Sequence, residues 1–210
     1  MKNSSIINTF FLLFSFVGFQ HLALAENKIE NKTLVILGDS LTEGLGVARE
    51  SAFPFLLEKK LLSNGKHWSI INSGISGSTT ASAPSRVKWI LRNHPDAVLI
   101  VLGANDGLRG LPVKETEKHL QEAINIVTKQ KIKIFLGGLY MPPNYGKQYS
   151  LDFKNMYLHL AKTNNLKLIP FILDKVAGDS KYNQADGIHP NEKGHEIIAN
   201  TIYEQLKDLL

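Results

Sequence analysis

Short apolar runs alternate with amphipathic helical patterns along most of the chain. The apolar runs predict five buried strands, over residues 34–37, 69–71, 97–102, 132–136 and 166–169. Apolar residues at helical spacing predict the helices, over residues 52–62, 84–92, 115–129, 152–164 and 190–210. Strands that alternate with helices are typical of βαβ units. The pattern therefore predicts an α/β fold, a three-layer α/β/α sandwich around a parallel sheet of about five strands.

Two of these elements have clear local signals. Residues 97–102 contain no polar side chain, which is typical of a strand buried on both faces of a parallel sheet. For the helix over 52–62, Ser51 is the expected N-cap. One face of that helix is formed by Phe53, Leu56, Leu57 and Leu61.

The first 25 residues have the features of a secretory signal peptide. A positive start at Lys2 precedes the apolar run Phe10–Phe19, and Ala23-Leu24-Ala25 is a small-x-small cleavage site. The alternative is a membrane anchor, but the apolar run is about half of the ~20 residues that span a bilayer. We therefore predict a signal peptide at 1–25, a short flexible lead at 26–32, one domain at 33–210, and no stable membrane insertion.

Composition narrows the class of protein and its compartment. The net charge is +5, with dispersed positive residues whose densest cluster is Lys129, Lys131 and Lys133. A solvated helix end that enters a strand explains this cluster, so nucleic-acid binding is not expected. The chain has no cysteine, so an exported form must depend on its core, which this length permits. A periplasmic location fits, with secretion to the medium as the alternative.

Polar motifs follow the first three predicted strands. Gly38-Asp39-Ser40-Leu41 follows the first, Gly74-Ile75-Ser76-Gly77 the second, and Gly103-Ala104-Asn105-Asp106 the third. Binding sites of open parallel sheets lie outside the carboxyl ends of the strands. We therefore expect these three motifs to meet at one edge of the sheet.

Ser40, His189 and Asp186 are the candidates for nucleophilic catalysis. A serine hydroxyl needs a base to take its proton and a third group to orient that base. The motif Asp186-Gly187-Ile188-His189 supplies an imidazole, which titrates near neutrality, and a carboxylate three residues before it. An Asp-Gly turn is compatible with this role. As a metal site, the same motif offers only two ligands, so no metal is expected.

Ser40 also has a purely structural interpretation. Asp39 and Ser40 both suit a helix N-cap, and Glu43 lies where a capping box requires an acidic residue. Thr42 occupies the position at which a G-x-S-x-G nucleophile elbow has its second glycine, so that elbow is absent.

Acyl transfer also requires donors for the oxyanion of the tetrahedral intermediate. The candidates are the backbone N–H groups of Ser40 and Gly77 and the side-chain amide of Asn105. Gly77 lacks a side chain, so its N–H can approach a substrate closely. The alternatives are a flexible Gly/Ser loop for Gly77 and a turn cap for Asn105, which begins Asn-Asp-Gly.

Together these motifs resemble the SGNH (GDSL) hydrolases. The family is named for the Ser, Gly, Asn and His that are here Ser40, Gly77, Asn105 and His189, and all four blocks occur in order. The segments 72–79, 105–110 and 142–146 look like a branch of periplasmic acyl-CoA thioesterases, arylesterases and lysophospholipases. The resemblance implies a flavodoxin-like fold, a monomer, no metal or organic cofactor, and Asp186 as the residue that orients His189.

The resemblance also implies an acyl-binding groove. Leu108–Pro112 matches a segment that moves on acyl-chain binding in relatives, so Leu108, Leu111 and Pro112 are expected to form a flap. The second wall is expected to comprise Tyr140, Met141, Pro142 and Tyr145. Ordinary packing is the alternative for all of these apolar residues. One departure is Ala104, where this branch often has Gly or Thr.

The expected activity is hydrolysis of acyl esters and thioesters through an acyl-enzyme on Ser40. Aryl esters, lysophospholipids and acyl-CoA are the expected substrates. One alternative is a carbohydrate O-acetylesterase, which would use the same catalytic groups with a different groove. Another is a non-catalytic acyl- or lipid-binding module.

Overall fold

The computed structural model describes residues 31–210, and its centre is a five-stranded sheet in which all strands are parallel. The strands are β1 (Lys32–Gly38), β2 (Trp68–Gly74), β3 (Ala97–Val101), β4 (Lys133–Gly137) and β5 (Lys167–Ile169). The predicted α/β fold with a parallel sheet is confirmed. The predicted signal peptide at 1–25 lies outside the described residues, and Lys32, the last residue of the predicted lead, begins β1.

The strand order is β2-β1-β3-β4-β5, which is the flavodoxin-like arrangement. After β1, the chain adds β2 on one side of β1 and then adds β3, β4 and β5 on the other side. The crevice between β1 and β3, at this switch point, is the usual ligand site in such folds. Two of the three polar motifs, those containing Ser40 and Asn105, directly follow β1 and β3. The sheet order therefore places both motifs at the crevice.

Helices cover both faces of the sheet. They are α1 (Ser40–Glu43), α2 (Phe53–Ser63), α3 (Ala83–Ile90), α4 (Ala104–Leu108), α5 (Val113–Lys129), α6 (Lys147–Thr163) and α7 (Glu192–Leu206). Short 3₁₀ turns lie at Arg49–Ser51, Thr80–Ser82, Leu91–Asn93 and Pro143–Tyr145. α2 packs against α7, whereas α5 packs against α3 and α6. Every residue of β3 is fully buried, as its uniformly apolar sequence predicts.

The predicted N-cap of α2 is wrong. Ser51 closes a 3₁₀ turn, and α2 begins at Phe53 after Ala52, which makes no side-chain cap bond. The N–H of Phe53 instead donates to Nδ1 of His195 at 3.2 Å, from the neighbouring α7. Burial lowers the pKa of His195 to about 4, so this imidazole is neutral at neutral pH and its nitrogen can accept. A long-range contact thus replaces the expected local cap.

Other helix limits also differ from prediction. α6 begins at Lys147 rather than residue 152, because its polar first turn hid the helical pattern. α7 begins at Glu192, where the Asn191 side chain accepts from the N–H of Gly194. The short helices α1 and α4 were not predicted, since four or five residues show no apolar period. In the part of the chain that the structure describes, we find no helix long and apolar enough to cross a membrane.

Candidate active site

Ser40 is the first residue of α1 and lies directly beyond the end of β1. Asp39, not Ser40, caps this helix, because its Oδ1 accepts from the N–H of Leu41 at 3.0 Å. Glu43 does not complete a capping box; its carboxylate accepts from the N–H of Ser76 at 2.7 Å. The hydroxyl of Ser40 is therefore not used as a helix cap.

The structure brings Ser40, His189 and Asp186 together in one chain of contacts. Nε2 of His189 lies 2.9 Å from Oγ of Ser40, and Nδ1 of His189 lies 2.6 Å from Oδ2 of Asp186. The turn between the last two residues passes through Gly187, whose positive φ of 71° favours glycine. In this arrangement one ring nitrogen can accept the hydroxyl proton while a carboxylate holds the other.

The surroundings of Asp186 favour the ionised form of its carboxyl group. Its Oδ1 accepts from the backbone N–H groups of Ile188 and His189, both at 3.0 Å. The backbone N–H of His189, then its ring, then the N–H of Ile188 lower the pKa of Asp186 to about 2. The carboxylate therefore stays negative across the pH range in which an imidazole changes its charge.

The segments that carry Asn105 and Gly77 are joined by a hydrogen bond. Asn105 is in the first turn of α4, and its Nδ2 donates to the carbonyl of Ser78 at 3.1 Å. Gly77 has φ +75°, a backbone conformation that other residues rarely adopt. Ser76 is bonded to Glu43 of α1. The loop with Gly77 is thus tied to the helix that begins with Ser40 and to the helix that carries Asn105.

Asp106 of α4 and Arg109, which follows α4, hold the same loop, and neither is among the predicted site residues. Asp106 is buried, and its carboxylate accepts from the N–H and hydroxyl of Thr80 at 2.9 and 2.6 Å. Arg109 donates to the carbonyl of Gly77 at 3.0 Å. The candidate oxyanion donors are therefore fixed by bonds within the chain. The signal for Asp106 in the sequence is its place beside Asn105 in Asn-Asp-Gly, a motif that is equally typical of a turn.

A cavity of about 200 Å³ opens beside Ser40, Asn105 and His189. Four of the seven predicted groove residues line it, namely Leu108, Tyr140, Met141 and Pro142. Residues that were not predicted complete its apolar wall, namely Leu41, Leu139, Leu173, Ala177 and Ile188. Ala104 also lines this cavity, so its methyl group lies where a substrate would contact it.

The other three predicted groove residues do not line this cavity. Leu111 and Pro112 lead into α5, and Leu111 is partly exposed. The hydroxyl of Tyr145 donates to the carbonyl of Leu108 at 3.3 Å, which ties the two predicted walls together. A role for these three residues in substrate binding stays a prediction.

Asp39 is a second carboxyl group at the site, and it is fully buried. Burial raises its pKa to about 6, although the N–H of Leu41 and the charges of His189 and Arg86 lower it. Its Oδ2 has no hydrogen-bond partner among the described residues. The ionised form of Asp39 is therefore costly in the folded protein.

We expect Asp39→Asn to raise the free energy of unfolding, relative to the wild type, more at pH 8 than at pH 4. The pKa of Asp39 is about 6 in the folded protein and exceeds the ordinary value of 3.8. The free energy of unfolding of the wild type should therefore fall as the pH rises from about 4 to about 6, and it should stay lower at higher pH. The advantage of the variant should grow by up to about 3 kcal/mol between pH 4 and pH 8. Urea unfolding of both proteins at several pH values measures it. A pH-independent difference would contradict this explanation.

Comparison with known proteins shows what this arrangement is. Residues 36–197 match the model of the GDSL-like lipase/acylhydrolase family. The chain belongs to this family. This GDSL-like hydrolase is 37% identical over 195 residues to an arylesterase of Vibrio mimicus, covering 92% of this chain and 96% of that protein. It is also 37% identical over 179 residues to thioesterase 1/protease 1/lysophospholipase L1 of Escherichia coli K12, covering 85% of each.

A solved structure shows the same fold. The crystal structure of TesA superposes on this GDSL-like hydrolase with a TM-score of 0.82 and 34% identity, covering 85% of this chain and all of that one. The chain is therefore an ester hydrolase with an SGNH fold. Within residues 31–210, no group of three His, Asp or Glu side chains is placed to hold a metal ion.

Proposed function

We propose that this hydrolase cleaves acyl esters and thioesters, with Ser40 as nucleophile, His189 as base and Asp186 as the group that orients the base. The 2.9 Å contact between Oγ of Ser40 and Nε2 of His189, at the mouth of an apolar cavity, is the observation that carries this proposal. Aryl esters, thioesters and lysophospholipids are the proposed substrates, because the relatives are named arylesterase and thioesterase 1/protease 1/lysophospholipase L1. Acyl-CoA is the thioester that we propose.

In the acylation step, His189 takes the proton of Ser40 as Oγ attacks the acyl carbonyl carbon. The carbonyl oxygen becomes an oxyanion and accepts hydrogen bonds from the N–H groups of Ser40 and Gly77 and from Nδ2 of Asn105. The bond to the alcohol or thiol then breaks, and His189 gives its proton to that leaving group. The negative Asp186 stabilises the imidazolium in between.

Deacylation repeats these steps with water. His189 takes a proton from the water as its oxygen attacks the acyl carbonyl, and the proton then returns to Oγ of Ser40. The products are a free carboxylic acid and the original enzyme.

The cavity supports a lipid-like acyl group rather than a sugar. Its wall is mainly aliphatic or aromatic, with contributions from Leu139, Met141 and Leu173. Each methylene buried there contributes about 0.8 kcal/mol to binding. Single-chain lipids such as lysophospholipids present one acyl chain, which suits one cavity beside the serine.

Hydrolysis of p-nitrophenyl esters from acetyl to palmitoyl tests the substrate class. We expect kcat/KM to rise by up to about 10³ from acetyl to octanoyl as the additional methylenes fill the cavity, and lysophospholipid to be hydrolysed. Activity confined to acetyl would instead support a carbohydrate O-acetylesterase. A folded protein without esterase activity would support an acyl-binding module.

We also propose that the protein is exported to the periplasm as a monomer after cleavage of residues 1–25. The apolar run Phe10–Phe19 and the cleavage site Ala23-Leu24-Ala25 support export. N-terminal sequencing of the mature protein should begin at Glu26. A mature chain that begins at Met1 would contradict this proposal.

A further inference from the structure

Gln184 joins the loop that carries His189 to the loop that follows the helix of Ser40. Its side-chain Nε2 donates to the carbonyl of Leu45 at 2.7 Å and to the carbonyl of Pro190 at 2.9 Å. Its backbone N–H donates to the carbonyl of His189 at 2.8 Å. One residue thus bonds to both sides of the candidate active site.

The connection reaches Ser40 itself. The N–H of Leu45 donates to the carbonyl of Ser40 at 3.1 Å, and the carbonyl of Leu45 is the one that accepts from Gln184. A continuous chain of hydrogen bonds therefore runs from Ser40 through Leu45 and Gln184 to His189. It links two residues that are 149 positions apart in the sequence.

The carboxamide of Gln184 is also fixed by packing. It lies directly over Gly46, where a Cβ atom would come within 2.1 Å of Oε1 of Gln184. The backbone carbonyl of Gln184 further accepts from the N–H of Gly187 at 2.9 Å, inside the turn between Asp186 and His189. The side chain is thus confined by a neighbouring backbone while both of its amide hydrogens are directed at carbonyls.

We propose that Gln184 is a positioning residue that sets the distance between Oγ of Ser40 and Nε2 of His189. This inference rests on the proposed function of those two residues. Ser40 is on α1 and His189 is on the loop before α7, and a displacement of 1 Å between reacting groups can lower a rate by about 10². Gln184 contacts neither reacting atom, so it acts through the two loops and not on the substrate.

Two substitutions separate this role from general stabilisation. Gln184→Glu keeps the shape but places a carboxylate against two carbonyl oxygens, which should push the loops apart. Gln184→Met keeps the approximate volume and loses only the two donated bonds, so it decides the matter if the charged variant does not fold. Gln130→Glu is the matched control, because Gln130 is exposed at the end of α5, before β4 and thus at the opposite edge of the sheet.

The readouts are kcat and KM on an octanoyl ester, the rate of covalent labelling by a phosphonate, and thermal unfolding by circular dichroism. We expect kcat and the labelling rate to fall together, by about 10² in Gln184→Glu and about tenfold in Gln184→Met. KM should stay within about twofold, and Gln130→Glu should behave as wild type.

A folded Gln184→Met with wild-type kcat would overturn the inference, whatever its melting temperature. So would a rise in KM at unchanged kcat, which would place Gln184 in substrate binding. An inactive, folded wild type would instead contradict the proposed function. The two failures are therefore distinguishable.

Discussion

We expect Ser40→Ala to lower kcat on p-nitrophenyl octanoate by at least about 10⁴. The hydroxyl of Ser40 is the group that faces Nε2 of His189, and alanine leaves the base without a nucleophile to activate. The fold should be unchanged, because Asp39 and not Ser40 caps α1. Initial rates and circular dichroism measured on the same preparation test both statements.

Ser85→Ala is the matched control for this substitution. Ser85 is an exposed serine on α3, and among residues 31–210 its hydroxyl donates only to the carbonyl of Ser82 in the preceding turn. This control should keep wild-type activity. Both the control and the wild type should gain the mass of a phosphonate on Ser40, whereas Ser40→Ala should not be labelled. A Ser40→Ala enzyme that retains a tenth of the wild-type rate would exclude Ser40 as the nucleophile.

We expect Asp186→Asn to lower kcat by about 10⁴ with little change in KM. The amide can still accept from the N–H groups of Ile188 and His189, so the turn should persist. Its NH₂ group would face Nδ1 of His189, however, and would favour the tautomer whose Nε2 carries a proton. That nitrogen could then no longer accept the proton of Ser40.

The pH dependence of kcat in Asp186→Asn tests whether the ionised carboxylate of Asp186 is the group that the reaction requires. Because the pKa of Asp186 is about 2, the wild-type carboxylate is already ionised at pH 5, and the defect should persist from pH 5 to pH 8. Asp208→Asn, a change at an exposed residue beyond the end of α7, should leave kcat unchanged. A loss of less than tenfold in Asp186→Asn would show that the carboxylate does not orient the base.

Much of the fold could be predicted because apolar runs and helical periodicity are local signals, and their alternation along the chain is typical of a parallel sheet. The uniformly apolar run of β3 predicted a strand buried on both faces, and all five of its residues are buried. The motifs with Ser40, Asn105 and His189 were found because each is a short segment of distinctive residues. The expected convergence of the motifs with Ser40, Gly77 and Asn105 followed from the rule that strand ends share one edge of the sheet, whereas the place of His189 followed from its chemistry and from the family resemblance.

What the sequence did not reveal depends on contacts between distant segments. The N–H of Phe53 is satisfied by His195, 142 positions away, and no local pattern predicts that pairing. Gln184 looks like an ordinary polar loop residue until the carbonyl of Leu45 is placed beside it. The cavity residues Leu173 and Ala177 lie in an irregular segment, where neither helical nor strand periodicity marks which side chains face the site.

Much of the wall of the acyl cavity lies on segments that carry none of the oxyanion donors. The donors belong to α1, the loop around Gly77 and the start of α4, which are bonded to one another. Much of the cavity wall comes instead from Leu139–Pro142 and from the segment between β5 and His189. Substitutions in the second set can change the preferred acyl length while the reacting groups stay in register. Such a division allows related enzymes to diverge in substrate through successive single mutations, each of which leaves a working catalyst.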